Sequence, residues 1–231
     1  MKIISIIFAM TEELSALKKY LSIKNINKLY ELTFYEAELN NQKIILVESG
    51  VGKVNAARTT QILIDNYHPD VVYNIGVAGG IANSLEVGDI IVSSSLVQHD
   101  FDITAFNHLK GYIPNVGNVI PVDNSLIINT QRILGKKDIS YKLGMIASGD
   151  IFCTSQEMAT KINQKFKALC VEMEGAAIGQ VCFLCQVPCL VLRSISDCPN
   201  NNNRITYDEF LPSACSKIAD IMHTILTDNN K

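Results

Sequence analysis

Long apolar runs separated by stretches of helical spacing constrain this chain more than any other feature. KIISIIF, DVVYNIG, DIIVSSSLV, ALCVEM and VPCLVLRSIS are apolar over most of their length, and a strand apolar on both faces must be covered on both. Between them, TEELSALKKYL sets Leu14, Leu17 and Leu21 on one face. Lys53 to about Tyr67, Asn124 to Leu134 and EGAAIGQVCFLC also read as helices. ELTFYEAEL and QKIILVES read as a hairpin turning at NNQ, and KLGMIAS as a short strand. GVAGG reads as a glycine-rich connection between two strands, and His99 to about Asn118 as a loop. Thr206 with Glu209 gives the T-x-x-E capping box that starts the last helix, after a loop at NNNN, residues 200–203. Strands alternating with helices predict a mostly parallel sheet with helices on both faces. At 231 residues, with no repeat and no linker, one domain over 1–231 is expected.

A net charge of −3 and an apolar fraction of 48% give no basic excess to hold nucleic acid or an anionic membrane, so small molecules are the expected partners. No apolar run approaches the roughly 20 residues that span a bilayer. IISIIFAM lacks the basic start and the small-residue cleavage site of a signal peptide. A cytoplasmic protein is expected. Seven cysteines is an odd number, and Cys170, Cys182, Cys185 and Cys189 lie in apolar segments. They read as small hydrophobes rather than as a disulfide framework, and CFLCQVPC lacks the four ligands of a structural zinc site. No metal or other cofactor is expected.

Acids gather where such sheets bind ligands, at the carboxyl ends of strands. Glu12 and Glu13 follow the first strand, Glu172 and Glu174 close ALCVEM, and Asp197 closes VLRSIS. Singly, each suits a helix start or a turn; together they predict one pocket holding several carboxylates. SGVGKV fails as a phosphate loop, because Val47 stands at the first glycine position and Val54 follows Lys53. IGVAGGIA fails as a dinucleotide fingerprint. Its Gly76, Gly79 and Gly80 let backbone approach a flat ligand closely, or form plain tight turns.

AMTEE, SGVGKVNAA, NIGVAGG, VGDI, HDFDITAF, ASGDIF, VEMEGAA, RSISD and YDEF follow one another as they do in the bacterial 5'-methylthioadenosine/S-adenosylhomocysteine nucleosidases, which the chain resembles over nearly its whole length. The resemblance implies the nucleoside phosphorylase fold, a three-layer α/β/α sandwich around a mixed sheet that partly closes as a barrel. It implies hydrolysis of N-glycosidic bonds, with Glu13 activating water, Asp197 protonating adenine at N7 and Glu174 gripping the ribose hydroxyls. Phe152 and Cys153 match the purine clamp, Ala78 and Gly79 the strip beside the base, and Met173 the sugar wall. Ser196 orients the site, and Met10, Val51 and Tyr207 complete the substrate-binding set. Ile103, Phe106 and Pro114 match a loop that completes the neighbouring subunit's pocket, so a homodimer is implied. Glu172 has no role by this reading.

The departures from the family pattern are Phe8 in place of a small residue, Tyr207 in place of a phenylalanine, and His108 in the variable loop. A nucleoside phosphorylase would share the fold but would need cations around its phosphate; the chain has four arginines, Arg58, Arg132, Arg193 and Arg204. A non-enzymatic storage protein would have no use for Glu13 and Asp197 at these spacings. An aminofutalosine nucleosidase would run the same chemistry on a bulkier 5' group.

Overall fold

The computed structural model describes residues 1–199 and 203–228. β1 (Lys2–Phe8) shows how the layers arise. Its alternate residues Ile4, Ile6 and Phe8 pack toward α1 (Thr11–Lys18), α3 (Asn124–Lys136) and α6 (Asn203–Thr227). Ile7 points the other way, toward α2 (Lys53–Tyr67) and α5 (Gly175–Leu184). A strand period of two therefore gives two apolar faces, each covered by helices. This is the three-layer α/β/α sandwich that the resemblance implied.

β5 (Val71–Gly80) is the pivot of the sheet. It pairs in parallel with β1 and with β10 (Cys189–Asp197), and its last residues pair antiparallel with β9 (Cys170–Glu172). β10 continues to β6 (Ile90–Gln98), β6 to β8 (Lys142–Ser148), and β8 back to β9. These five strands close a barrel. The rest of the sheet runs outward from β1 through β4 (Gln42–Glu48) and β3 (Leu32–Leu39) to β2 (Ile23–Leu29), and the short β7 (Ile120–Pro121) pairs with β6.

Several sequence expectations are corrected. The sheet is mixed, as the resemblance implied, rather than mostly parallel as the alternation of strands and helices predicted: the pairs β2–β3, β3–β4, β5–β9, β6–β7 and β6–β10 are antiparallel. GVAGG is not a connection but the end of β5, packed tightly at Gly80. A Cβ at Gly80 would lie 3.1 Å from Ile195 Cγ2. The last helix is already formed at Asn203, ahead of Thr206; part of the NNNN loop lies outside the described residues, as does the Thr206 side chain. β2 went unread because IKNINKL is mostly exposed and polar, as suits an edge strand that must resist pairing with another chain. α4 (Gln156–Phe166) also went unread, although Ser155 caps it by accepting from the Met158 N–H at 3.2 Å. No helix among the described residues is long and apolar enough to cross a membrane.

Candidate active site

Glu13 sits in the first turn of α1 yet is buried, while its neighbour Glu12 is exposed and stands outside the site. Its Oε2 accepts from the N–H groups of Ala9 at 2.9 Å and Met10 at 3.1 Å, and its Oε1 from the Val77 N–H at 3.0 Å. The carboxylate thus ties the end of β1 to the middle of β5. Gly76 is required beside it, because any Cβ there would overlap Oε1. Burial pushes the Glu13 carboxyl above its ordinary range, outweighing the nearby Arg193 and the three backbone donors.

The two acids of VEME have different tasks. β9 ends at Glu172, whose oxygens are all engaged: Oε2 accepts from Arg193 Nη2 and from the N–H groups of Glu174 at 3.2 Å and Gly175 at 2.7 Å, and Oε1 accepts from the Ser148 hydroxyl. Ser148 in turn accepts from the Ala176 N–H at 2.7 Å. Arg193, fully buried on β10, also donates to Asn74. Glu172 therefore satisfies the first N–H groups of α5 and neutralises a buried cation. Glu174, at the N-cap of α5, is aimed the other way, with Oε1 accepting from the Gly52 N–H at 2.7 Å. Burial first, then the neighbouring Glu172, push its carboxyl up to about 8.

Asp197 ends β10 at an irregularity. Ile195 pairs with Ala78 and Asp197 with Gly79, so the chain bulges at Ser196 and brings two successive polar side chains to the same region. The Ser196 hydroxyl donates to Asp197 Oδ1 at 2.8 Å. Asp197 Oδ2 would stand 3.5 Å from a Cβ at Gly79.

Glu13, Glu174 and Asp197 face one cavity of about 230 Å³. Its other walls come from Met10, Val51, Ala78, Gly79, Phe152, Cys153, Met173, Ser196 and Tyr207. Tyr207 donates to Met10 Sδ at 3.3 Å and meets Phe152 edge to face at 5.6 Å, which gives its hydroxyl a partner at the apolar wall. Val51 and Phe152 remain substantially exposed and mark the mouth. Of the residues named from sequence, Ile103 and Phe106 stand away from this cavity, as does Pro114. Ala9, Val77, Ile151, Val171 and Glu172 also line it; each lies inside a motif already recognised, and that membership was their signal. Phe8 is fully buried in the core behind Met10, and His108 stacks on Tyr112. No lysine or arginine lines the cavity among the described residues, and these hold no group of three or more histidines, cysteines or acids arranged around a metal.

Four acids line this largely apolar cleft, and with Glu172 committed to Arg193, the other three suit acid–base chemistry on a small molecule with a flat ring and hydroxyl groups. Comparisons with known proteins agree. The family model described as "Phosphorylase superfamily" matches residues 3–227. The 5'-methylthioadenosine/S-adenosylhomocysteine nucleosidase of Staphylococcus epidermidis is 41% identical over 212 residues, covering 91% of this chain and 93% of that protein. The crystal structure of the Helicobacter pylori enzyme of that name, complexed with a pyrrolidine ligand, superposes with a TM-score of 0.96 at 34% identity, covering 99% of both chains. A futalosine hydrolase mutant from Helicobacter pylori superposes with a TM-score of 0.97 at 33% identity, covering 99% of this chain and 100% of that one. The chain belongs to the phosphorylase superfamily and, within it, to the 5'-methylthioadenosine/S-adenosylhomocysteine nucleosidases, hydrolases of N-glycosyl bonds.

Proposed function

We propose that this protein hydrolyses the N-glycosidic bond of 5'-methylthioadenosine, S-adenosylhomocysteine and 5'-deoxyadenosine, releasing adenine and the 5'-substituted ribose. The observation that carries the reading is the convergence of Glu13, Glu174 and Asp197, from three separate strand ends, on one otherwise largely apolar cavity. Adenine leaves well only when N7 is protonated. Asp197 supplies that proton, oriented by the Ser196 hydroxyl. The flat base lies along Ala78 and Gly79 under Phe152 and Tyr207. Glu13, its carboxyl raised by burial, is a stronger base than an ordinary carboxylate and takes a proton from water on the opposite face of the sugar.

Glu174 accepts from the ribose hydroxyls. Burial and Glu172 disfavour its charge, and positive charge developing on the ribose offsets that penalty, so the carboxylate's contact with the sugar strengthens at the transition state. Among the described residues no cation lines the cavity, which favours water over phosphate as the nucleophile. A groove bordered by His99, Lys110, Lys161 and Phe166 shares Ile151 with the cavity, and this neighbouring space is what favours aminofutalosine, with its bulkier 5' group, as a second substrate.

The test is product analysis with methylthioadenosine, S-adenosylhomocysteine, 5'-deoxyadenosine and aminofutalosine, each with and without phosphate. Free adenine at a rate indifferent to phosphate is expected. The 5-substituted ribose-1-phosphate as a product would overturn the reading.

A further inference from the structure

The loop carrying Gly52 is what holds Glu174 Oε1, and that loop has no apolar anchor of its own: Val51 and Val54 are both exposed. Polar contacts from two other strand ends fix it. The Lys53 N–H donates to Asp150 Oδ1 at 2.8 Å, beyond β8. Lys53 Nζ reaches past the end of β6 to Gln98 Oε1 at 3.0 Å and Asp100 Oδ1 at 2.6 Å. Asp100 Oδ2 closes the circuit by accepting from the Asp150 N–H at 2.9 Å. Each aspartate uses separate atoms for separate partners, so the three loops at the cavity mouth are locked in one arrangement. Gly52 itself has φ +100°, which strains any other residue, and a Cβ there would stand 3.3 Å from Asp150 Oδ1. Burial pushes the Asp100 carboxyl up, but Lys53 and the Asp150 N–H outweigh it and hold it below its ordinary range, so it stays ionised.

We propose that Asp150 and Asp100, bridged by Lys53, are positioning residues for the reaction: they fix the Gly52 N–H that aims the Glu174 carboxylate at the ribose hydroxyls. The proposal rests on the assignment of Glu174 to those hydroxyls. Neither aspartate lines the cavity, so their effect on the ribose hydroxyls passes through Gly52 and Glu174, whereas their hold on the segment leading to Ile151 and Phe152 acts on all substrates alike. A hydrogen bond to a charged group contributes about 1.5–3 kcal/mol, which is roughly tenfold or more in rate. Misplacing Glu174 forfeits this only for a substrate that has the hydroxyl.

The experiment measures kcat and KM for methylthioadenosine and its 2'-deoxy and 3'-deoxy analogues with wild type, Asp150→Ala, Asp150→Asn and Asp100→Asn, after circular dichroism. Asp150→Ala is expected to lower kcat/KM about tenfold on methylthioadenosine and less than about threefold on the analogue whose missing hydroxyl wild type misses most. Discrimination by hydroxyl therefore shrinks. Asp150→Asn keeps an oxygen for the Lys53 N–H and restores most of the loss. Asp100→Asn, which sacrifices one of its two acceptors, shows the same selective pattern and carries the test if Asp150→Ala does not fold. An equal loss on all substrates, or discrimination kept at the wild-type level, overturns the proposal and leaves the Glu174 assignment standing. A wild-type enzyme indifferent to both hydroxyls overturns the Glu174 assignment, and this proposal with it.

Discussion

At the scale of single residues, the carboxylates differ in what surrounds them rather than in what they are. Glu13 is encircled by backbone N–H groups, Glu172 is spent on Arg193 and a helix start, and Asp197 is steadied by a neighbouring hydroxyl. If Asp197 is the acid, Asp197→Asn keeps the shape and removes the transferable proton. General acid catalysis contributes about 100- to 10,000-fold, and kcat on methylthioadenosine is expected to fall by at least that order while KM changes little. A nucleoside whose leaving group needs no protonation, such as an activated nitrophenyl riboside, is expected to lose far less. Near-normal hydrolysis of methylthioadenosine by the variant would remove Asp197 from this role.

At the scale of elements, α5 is joined to the sheet by an ion pair rather than by apolar packing alone. Glu172 accepts from two N–H groups at the start of the helix and from Arg193 on β10, both side chains being almost fully buried. Breaking such a pair on one side leaves a buried charge uncompensated, at a cost of about 3–5 kcal/mol. Arg193→Met is expected to destabilise the protein by that amount in urea unfolding. Adding Glu172→Gln removes the stranded charge while keeping an oxygen for the helix N–H groups, and should recover at least half of the loss. An Arg193→Met variant as stable as wild type would show that the pair contributes nothing net.

At the scale of the whole molecule, the barrel brings distant strand ends to one rim, but the rim is open at Val51 and Phe152. Phe106 is 75% exposed on the loop after β6, a costly place for an aromatic unless something covers it. A homodimer of the kind the resemblance implies would supply the cover by seating this loop, with Ile103, over a second copy's cavity. Phe106→Asp would put an unpaired charge into that contact. It is expected to weaken the dimer and raise KM for thio-substrates together, by about tenfold or more in each, as read by light scattering beside kinetics. A fully active monomer would refute the shared pocket.

The sequence by itself determined the layers and the acids of the site. Apolar runs such as KIISIIF and VPCLVLRSIS declare strands covered on both faces, and a carboxylate closing such a run is legible as a rim residue because chain order alone places it there. The division of labour between Glu172 and Glu174 was not legible. They stand two residues apart in the same motif, and only the arrival of Arg193 from β10 and Gly52 from the loop after β4 separates an acid paired with a cation from one held by a backbone N–H. Barrel closure, which the family resemblance implied, was not legible in local periodicity for the same reason. It depends on β5 pairing with both β9 and β10 at its glycine-rich end, where local propensity reads a turn and packing decides a strand. Local periodicity reports which faces must be buried, whereas partners in space are chosen by contacts between residues far apart in the chain.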